Sequence, residues 1–79
     1  TFRIYPNPIN GSDFRIDAKD IDLSNARLLM TSLDGRVIYQ RQLSVNNERI
    51  SLPNHIAKGV YIISVELQNG ILSEKVVVN

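Results

Sequence analysis

Cysteine and tryptophan are missing from this 79-residue sequence, and it holds a single histidine. Without cysteine no disulfide staples the fold, and no thiolate can serve as nucleophile or metal ligand. The absence fits an oxidising compartment without requiring one. One histidine and no cysteine leave a zinc site short of donors, so neither metal nor cofactor is expected. An excess of one charge is missing as well: nine Lys and Arg face eight Asp and Glu, for a net charge of +1. The basic residues are scattered, so nothing neutralises a row of phosphates and nucleic acid is not an expected partner. Apolar runs stay short, as in Val76–Val78, far below the roughly 20 residues of a membrane-spanning helix. The opening TFRIYPNP has no basic n-region, no apolar h-region and no initiator Met. The sequence is therefore expected to be a fragment of a longer secreted precursor rather than to carry its own leader.

What remains is alternation. Hydrophobic residues make up 43% of the chain, enough for one core, and no repeat, linker or low-complexity tract divides residues 1–79. Apolar positions recur with period two nearly everywhere, the mark of half-buried strands. TFRIY sets Phe2 against Arg3 and Ile4. DFRIDA puts Phe14, Ile16 and Ala18 on one face, and ARLLMTS does the same with Ala26, Leu28 and Met30. VIYQRQL alternates Val37, Tyr39, Arg41 and Leu43 with Ile38, Gln40 and Gln42. ERISL contributes Ile50 and Leu52; VYIISVEL aligns Tyr61, Ile63, Val65 and Leu67. ILSEKVVV sets Leu72, Glu74, Val76 and Val78 against Ser73, Lys75 and Val77. Asn10-Gly11, Asp34-Gly35 and Asn69-Gly70 are turn dipeptides, because Gly and Asn accept positive φ at little cost. Ser32-Leu33-Asp34-Gly35 also reads as a type I turn closed by Gly35. Two hairpins follow, around residues 32–35 and 69–70. Seven short strands in one small domain predict an all-β fold, a seven-stranded antiparallel β-sandwich with immunoglobulin-like layout.

Residues with catalytic potential do not gather into a recognisable site. His55 stands alone in LPNHIAKG, and no serine occupies a G-x-S-x-G elbow, so hydrolysis finds no support. Asp20, Asp22 and Ser24 are spaced like part of a calcium loop, but the loop's glycine and bidentate Glu are missing. Strand-like alternation explains the same spacing, with Ile21 and Leu23 turned inward. Asn10-Gly11-Ser12 fits a glycosylation acceptor, yet a turn accounts for it equally. With no Trp, and with Phe2, Tyr5, Phe14, Tyr39 and Tyr61 falling mostly on core-facing positions, no aromatic platform is offered to a sugar.

The segment Tyr5-Pro6-Asn7-Pro8 is punctuation of another kind. Each proline fixes φ and removes a backbone donor, and Tyr5 and Asn7 are biased toward extended geometry. A stiff crossover between sheets is expected, with the Asn7 side chain bonding to nearby backbone. YPNP near the start, TSLDGRVIY in the middle, then KGVYIISV and a closing KVVV together resemble the C-terminal sorting domain of the type IX (Por) secretion system. The resemblance spans the whole chain. Tyr5, Pro6, Asn7 and Pro8 match its opening motif, Gly35 its hairpin, Gly59 and Tyr61 its G-x-Y strand start, and Lys75, Val76, Val77 and Val78 its last strand. Ser32 stands where members often carry an acidic residue, and Asn79 where many carry Lys or Arg.

That resemblance implies a folded signal without activity of its own. It implies an N-terminal cargo domain covalently attached, export into the periplasm, and recognition by the outer-membrane translocon and its shuttle protein. A surface sortase then removes the signal, leaving the cargo at the cell surface or in the medium. Because core faces are committed to folding, the recognised information should lie on loops, outer faces or free strand edges. Asn69, Gly70, Lys75, Val77 and Asn79 are the residues expected to meet the translocon. The alternative is an immunoglobulin-like adhesion or spacer module of a secreted enzyme.

Overall fold

The computed structural model describes residues 2–79. Seven strands follow one another: β1 (Phe2–Tyr5), β2 (Asp13–Ala18), β3 (Arg27–Ser32), β4 (Val37–Gln42), β5 (Glu48–Ser51), β6 (Gly59–Leu67) and β7 (Gly70–Val78). They form a three-stranded sheet in the order β1-β2-β5 and a four-stranded sheet in the order β4-β3-β6-β7, with every strand pair antiparallel. Three strands facing four in this order is the immunoglobulin-like sandwich that the alternation predicts.

The core sits between the sheets. Ile4, Phe14, Ile16 and Ile50 reach it from one side, and Leu28, Met30, Ile63, Val65, Val76 and Val78 from the other. Burying Phe14 or one of the isoleucines contributes on the order of 2 kcal/mol each. The connectors add Ile9, Leu23, Ala26 and Leu43, so the loops close the ends of the sandwich as well as linking strands. Leu23 owes its position partly to Asn46, whose Oδ1 accepts its N–H. The Asp20–Ser24 spacing resolves into a local turn in which the Asp22 carboxylate accepts from the Ser24 N–H and hydroxyl, at 3.0 and 2.6 Å.

The structure corrects the expectations from sequence in four places. Ile4 is buried and Phe2 packs beside it on the core, so these two share a face and Arg3 points outward. Tyr5 lies on that outer face with Arg3, whose guanidinium sits 4.7 Å from the Tyr5 ring centre; it is not core-facing. In β4 the register slips against β3 between Met30 and Thr31. The bulge brings Ile38 onto the core beside Tyr39 and leaves Val37 exposed. A bulge inserts one unpaired residue, and such an insertion reverses which side chains face inward beyond it. Finally, Asn69-Gly70 is not the tip of its hairpin. Leu67 pairs with Gly70, the loop is Gln68-Asn69, and positive φ among the described residues falls instead at Gly11, Gly35, Gly59, Asp20 and Asn25.

Among the described residues Glu48 is the one buried charged residue, at 8% exposure. It clasps the bend between β4 and β5. Its Oε1 accepts the Ser44 and Val45 N–H groups at 2.6 and 3.2 Å, and its Oε2 pairs with Arg41. Burial alone would raise its pKa; the two backbone donors and the Arg41 cation outweigh burial and hold the carboxyl below its ordinary value.

Candidate functional site

Four sequence motifs that lie far apart in the chain meet at one end of the four-stranded sheet. The meeting follows from pairing. Ser32 at the end of β3 lies opposite Tyr61 in β6, and Tyr61 lies opposite Val76 in β7. The hairpin turn at Gly35, the Gly59–Tyr61 strand start and the last residues of β7 thus stand side by side. The YPNP segment closes the row from the other flank of β7.

Pro6, Asn7 and Pro8 are exposed, and both peptide bonds preceding the prolines are cis. The segment is not a crossover between strands of different sheets: β1 and β2, which it joins, are neighbours in one sheet, and it swings out to the edge of β7 in the other sheet before returning. Nor does Asn7 bond locally. Its Nδ2 donates to the Lys75 carbonyl at 3.2 Å, and its Oδ1 accepts from the Val77 N–H at 3.3 Å. A primary amide presents a donor and an acceptor side by side, so here it stands in for the backbone of a neighbouring strand. Ile9 continues the pairing: its N–H donates to Val77 O at 2.7 Å and its carbonyl accepts from Asn79 N at 2.9 Å, a parallel bridge to Val78. Ile9 is fully buried and anchors the segment. Alternation does not reveal this residue, because it stands alone between a proline and a turn.

The remaining motif residues have equally physical reasons. Gly35 adopts φ +92 and its N–H donates to the Ser32 carbonyl at 2.9 Å, closing the type I turn. The Ser32 hydroxyl oxygen accepts from Arg36 N–H at 3.3 Å and donates to Asp34, and that bond holds the Asp34 carboxyl below its ordinary pKa. Ser32 therefore supplies the acceptor that an acidic residue would supply at this position. Gly59 adopts φ +155 directly opposite Val78, a conformation that side chains with a Cβ rarely take. Tyr61 packs on the core and donates its hydroxyl to the Ala57 carbonyl at 2.6 Å, fastening the loop that leads into β6.

Along β7, Val76 and Val78 are buried, Val77 is half-buried and Lys75 is exposed. Val77 lies on the outer face opposite Val60, and Lys75 opposite Ile62. Leu29, Val60, Ile62 and Val77 are all half-buried, and none of them belongs to the hydrophobic core cluster; they form an apolar outer surface beside Lys75. Asn79 binds Ile9 through its backbone and Asn10 through its side chain, at 3.2 Å. Asn69 and Gly70 lie at the opposite end of β7, roughly 25 Å away at the usual rise per strand residue. The five residues expected to meet the translocon therefore divide between two ends of the domain.

Clefts and titratable groups add little chemistry. A surface cleft of about 640 Å³ lies between the Ile21–Ala26 connector and the β6–β7 turn, with Asp22 and Glu66 on its walls. Asp22 is already engaged by Ser24, which holds its carboxyl below the ordinary value. Among the described residues no three His, Cys, Asp or Glu side chains gather as a metal site. His55 is exposed in its loop.

Comparison with known proteins agrees with this arrangement. No curated protein matches the sequence. Among solved structures, the chain resembles part of PorZ of Porphyromonas gingivalis, described as an essential bacterial surface component of the type-IX secretion system. The TM-score is 0.78 at 20% identity, over 99% of this chain and 11% of that one. That likeness establishes a shared fold. Residues 3–79 match the family described as Secretion system C-terminal sorting domain. With the match running over nearly every residue and the motifs drawn together at one end of the sheet, the chain belongs to the family of secretion-system C-terminal sorting domains, the sorting signals of type IX secretion.

Proposed function

We propose that this domain acts as a folded address. The outer-membrane type IX translocon and its shuttle protein read it from the periplasm. A surface sortase then removes it, and the attached N-terminal cargo reaches the cell surface or the medium. Family membership carries the coarser part, a sorting signal for type IX secretion in a family that is generally non-catalytic. The observation that supports folded recognition is the convergence of Asn7, Gly35, Gly59 and Lys75–Val78 at one end of the sheet. In an unfolded chain these residues share no surface.

Recognition in this reading centres on Lys75 and Val77, which face outward beside Val60 and Ile62. A cation beside a small apolar surface suits a partner that offers an acidic group next to an apolar one. Asn79 borders the same surface. Asn69 and Gly70 join it only if the partner follows β7 along its whole length.

The test fuses residues 1–79 to an exported fluorescent protein in a bacterium with type IX machinery. Fluorescence at the surface or in the medium supports the proposal. Retention of a folded fusion in the periplasm overturns it, and retention combined with binding to a surface ligand favours an adhesion module instead.

A further inference from the structure

Asn10-Gly11, Asp34-Gly35 and Asn69-Gly70 all lie at exposed turns, but their glycine amides differ. The Gly35 N–H donates to the Ser32 carbonyl at 2.9 Å. Gly70 lies opposite Leu67 in the β6–β7 ladder. The Val77 N–H faces Asn7, away from β6, so alternation along β7 turns the Gly70 N–H inward to Leu67. Gly11 is the exception. Ile9 before it is pinned to Val77 and Asn79, and Ser12 after it to Leu52. Between those pins, neither the Asn10 nor the Gly11 backbone hydrogen-bonds with any described residue. Nothing lies within 4 Å of where a Gly11 Cβ would stand, so no neighbour crowds this residue. The Asn10 side chain is exposed, and its Oδ1 accepts from Asn79 Nδ2 at 3.2 Å. That bond leaves Cγ uncovered and supports the oxygen that gains charge when Cγ is attacked.

We infer that Asn10 is a site of spontaneous deamidation, with the free Gly11 nitrogen as nucleophile. This inference is independent of the sorting function. A solvent base takes the Gly11 amide proton, the nitrogen bonds to Asn10 Cγ, and the Cγ–Nδ2 bond breaks. Nδ2 leaves as ammonia, carrying a proton equivalent to the one removed. Solvent water then opens the cyclic imide. Attack at the former side-chain carbonyl gives aspartate; attack at the main-chain carbonyl gives isoaspartate, whose backbone runs through the old side chain. Glycine favours the ring closure because no Cβ obstructs its nitrogen. The same closure at Asn69 must wait for the paired Gly70 amide to open. The new carboxylate cancels the chain's net charge of +1. Isoaspartate also lengthens the backbone by a methylene beside Ile9, loosening its bridge to Val78.

The intact chain is incubated in heavy-oxygen water, folded and in parallel unfolded in denaturant, and mapped by peptide mass spectrometry. Folding should leave the rate at Asn10 near its unfolded value. It should slow Asn69 by about tenfold or more, the factor that opening one paired amide imposes. Modified Asn10 should take up heavy oxygen and appear as both aspartate and isoaspartate. Amide exchange at Asn79, which donates to the Ile9 carbonyl, should quicken in the isoaspartate form. Asn10→Gln, whose longer side chain closes a less favourable ring, should abolish the reaction there and leave Asn69 unchanged. Folding that protects Asn10 as strongly as Asn69 overturns the inference. So does a folded chain in which Asn69 reacts faster than Asn10. If Asn10→Gln fails to fold, mapping of the unaltered chain decides.

Discussion

The side-chain amide of Asn7 meets the Val77 N–H at 3.3 Å and the Lys75 carbonyl at 3.2 Å, joining residues 70 and 68 positions apart. One exposed side chain thus ties the start of the domain to its final strand. Asn7→Ala should cost about 1–2 kcal/mol, the ordinary net worth of two such bonds. It should also speed amide exchange at Val77. Asn7→Asp keeps the acceptor and loses the donor, so it should destabilise at neutral pH and recover part of the loss when protonated. Chemical denaturation across pH checks both.

Gly59 tests backbone geometry rather than packing. A Cβ at this position would sit 3.8 Å from the Tyr61 ring, an ordinary contact, but φ is +155. Gly59→Ala should therefore destabilise by about 1–2 kcal/mol through backbone strain alone. Tyr61→Phe, which removes the hydroxyl donor to Ala57, should cost about 1 kcal/mol. Thermal melts of the two variants and their combination would show whether they act as one unit.

Much of this arrangement could be read from alternation, and the reasons for the remainder are specific. Period two identifies the inward face of a strand, so Phe14, Leu28, Ile63 and Val76 were legible as core. It does not identify the neighbouring strand, so the meeting of Ser32, Tyr61 and Val76 was not. Ile9 lies outside any strand and follows a proline, leaving no pattern to expose its burial. Ile38 was misassigned because a bulge adds a residue that no local signal announces. No residue pattern marked Glu48 as buried, since its partners at Ser44 and Val45 are backbone donors. The resemblance carried by YPNP, G-x-Y and KVVV identified the family, whereas the reach of Asn7 to β7 required coordinates.

Glu48 makes stability depend on acidity in a defined direction. Its folded pKa lies below the ordinary value. The stability it confers is complete above the unfolded range, near 4.3 for Glu, and is lost as pH falls toward the folded pKa. Melting temperature should therefore decline as pH drops below about 4.5. Glu48→Gln should melt lower at neutral pH and show a shallower decline. Some decline should persist, because Asp13 and Asp17 are also held low, first by their bonds to Arg49 and Arg3. Calorimetry between acidic and neutral pH measures each slope.

The central claim is that a folded surface at the end of β7 is read by the transport machinery. Its most direct test is the secreted fraction of a fluorescent fusion carrying Val77→Glu or Lys75→Glu, measured beside the melting temperature of each domain. The account predicts that secretion collapses while melting stays near that of the unaltered domain. Undiminished secretion of both stably folded variants, or a secretion loss that merely tracks lost stability, would contradict it.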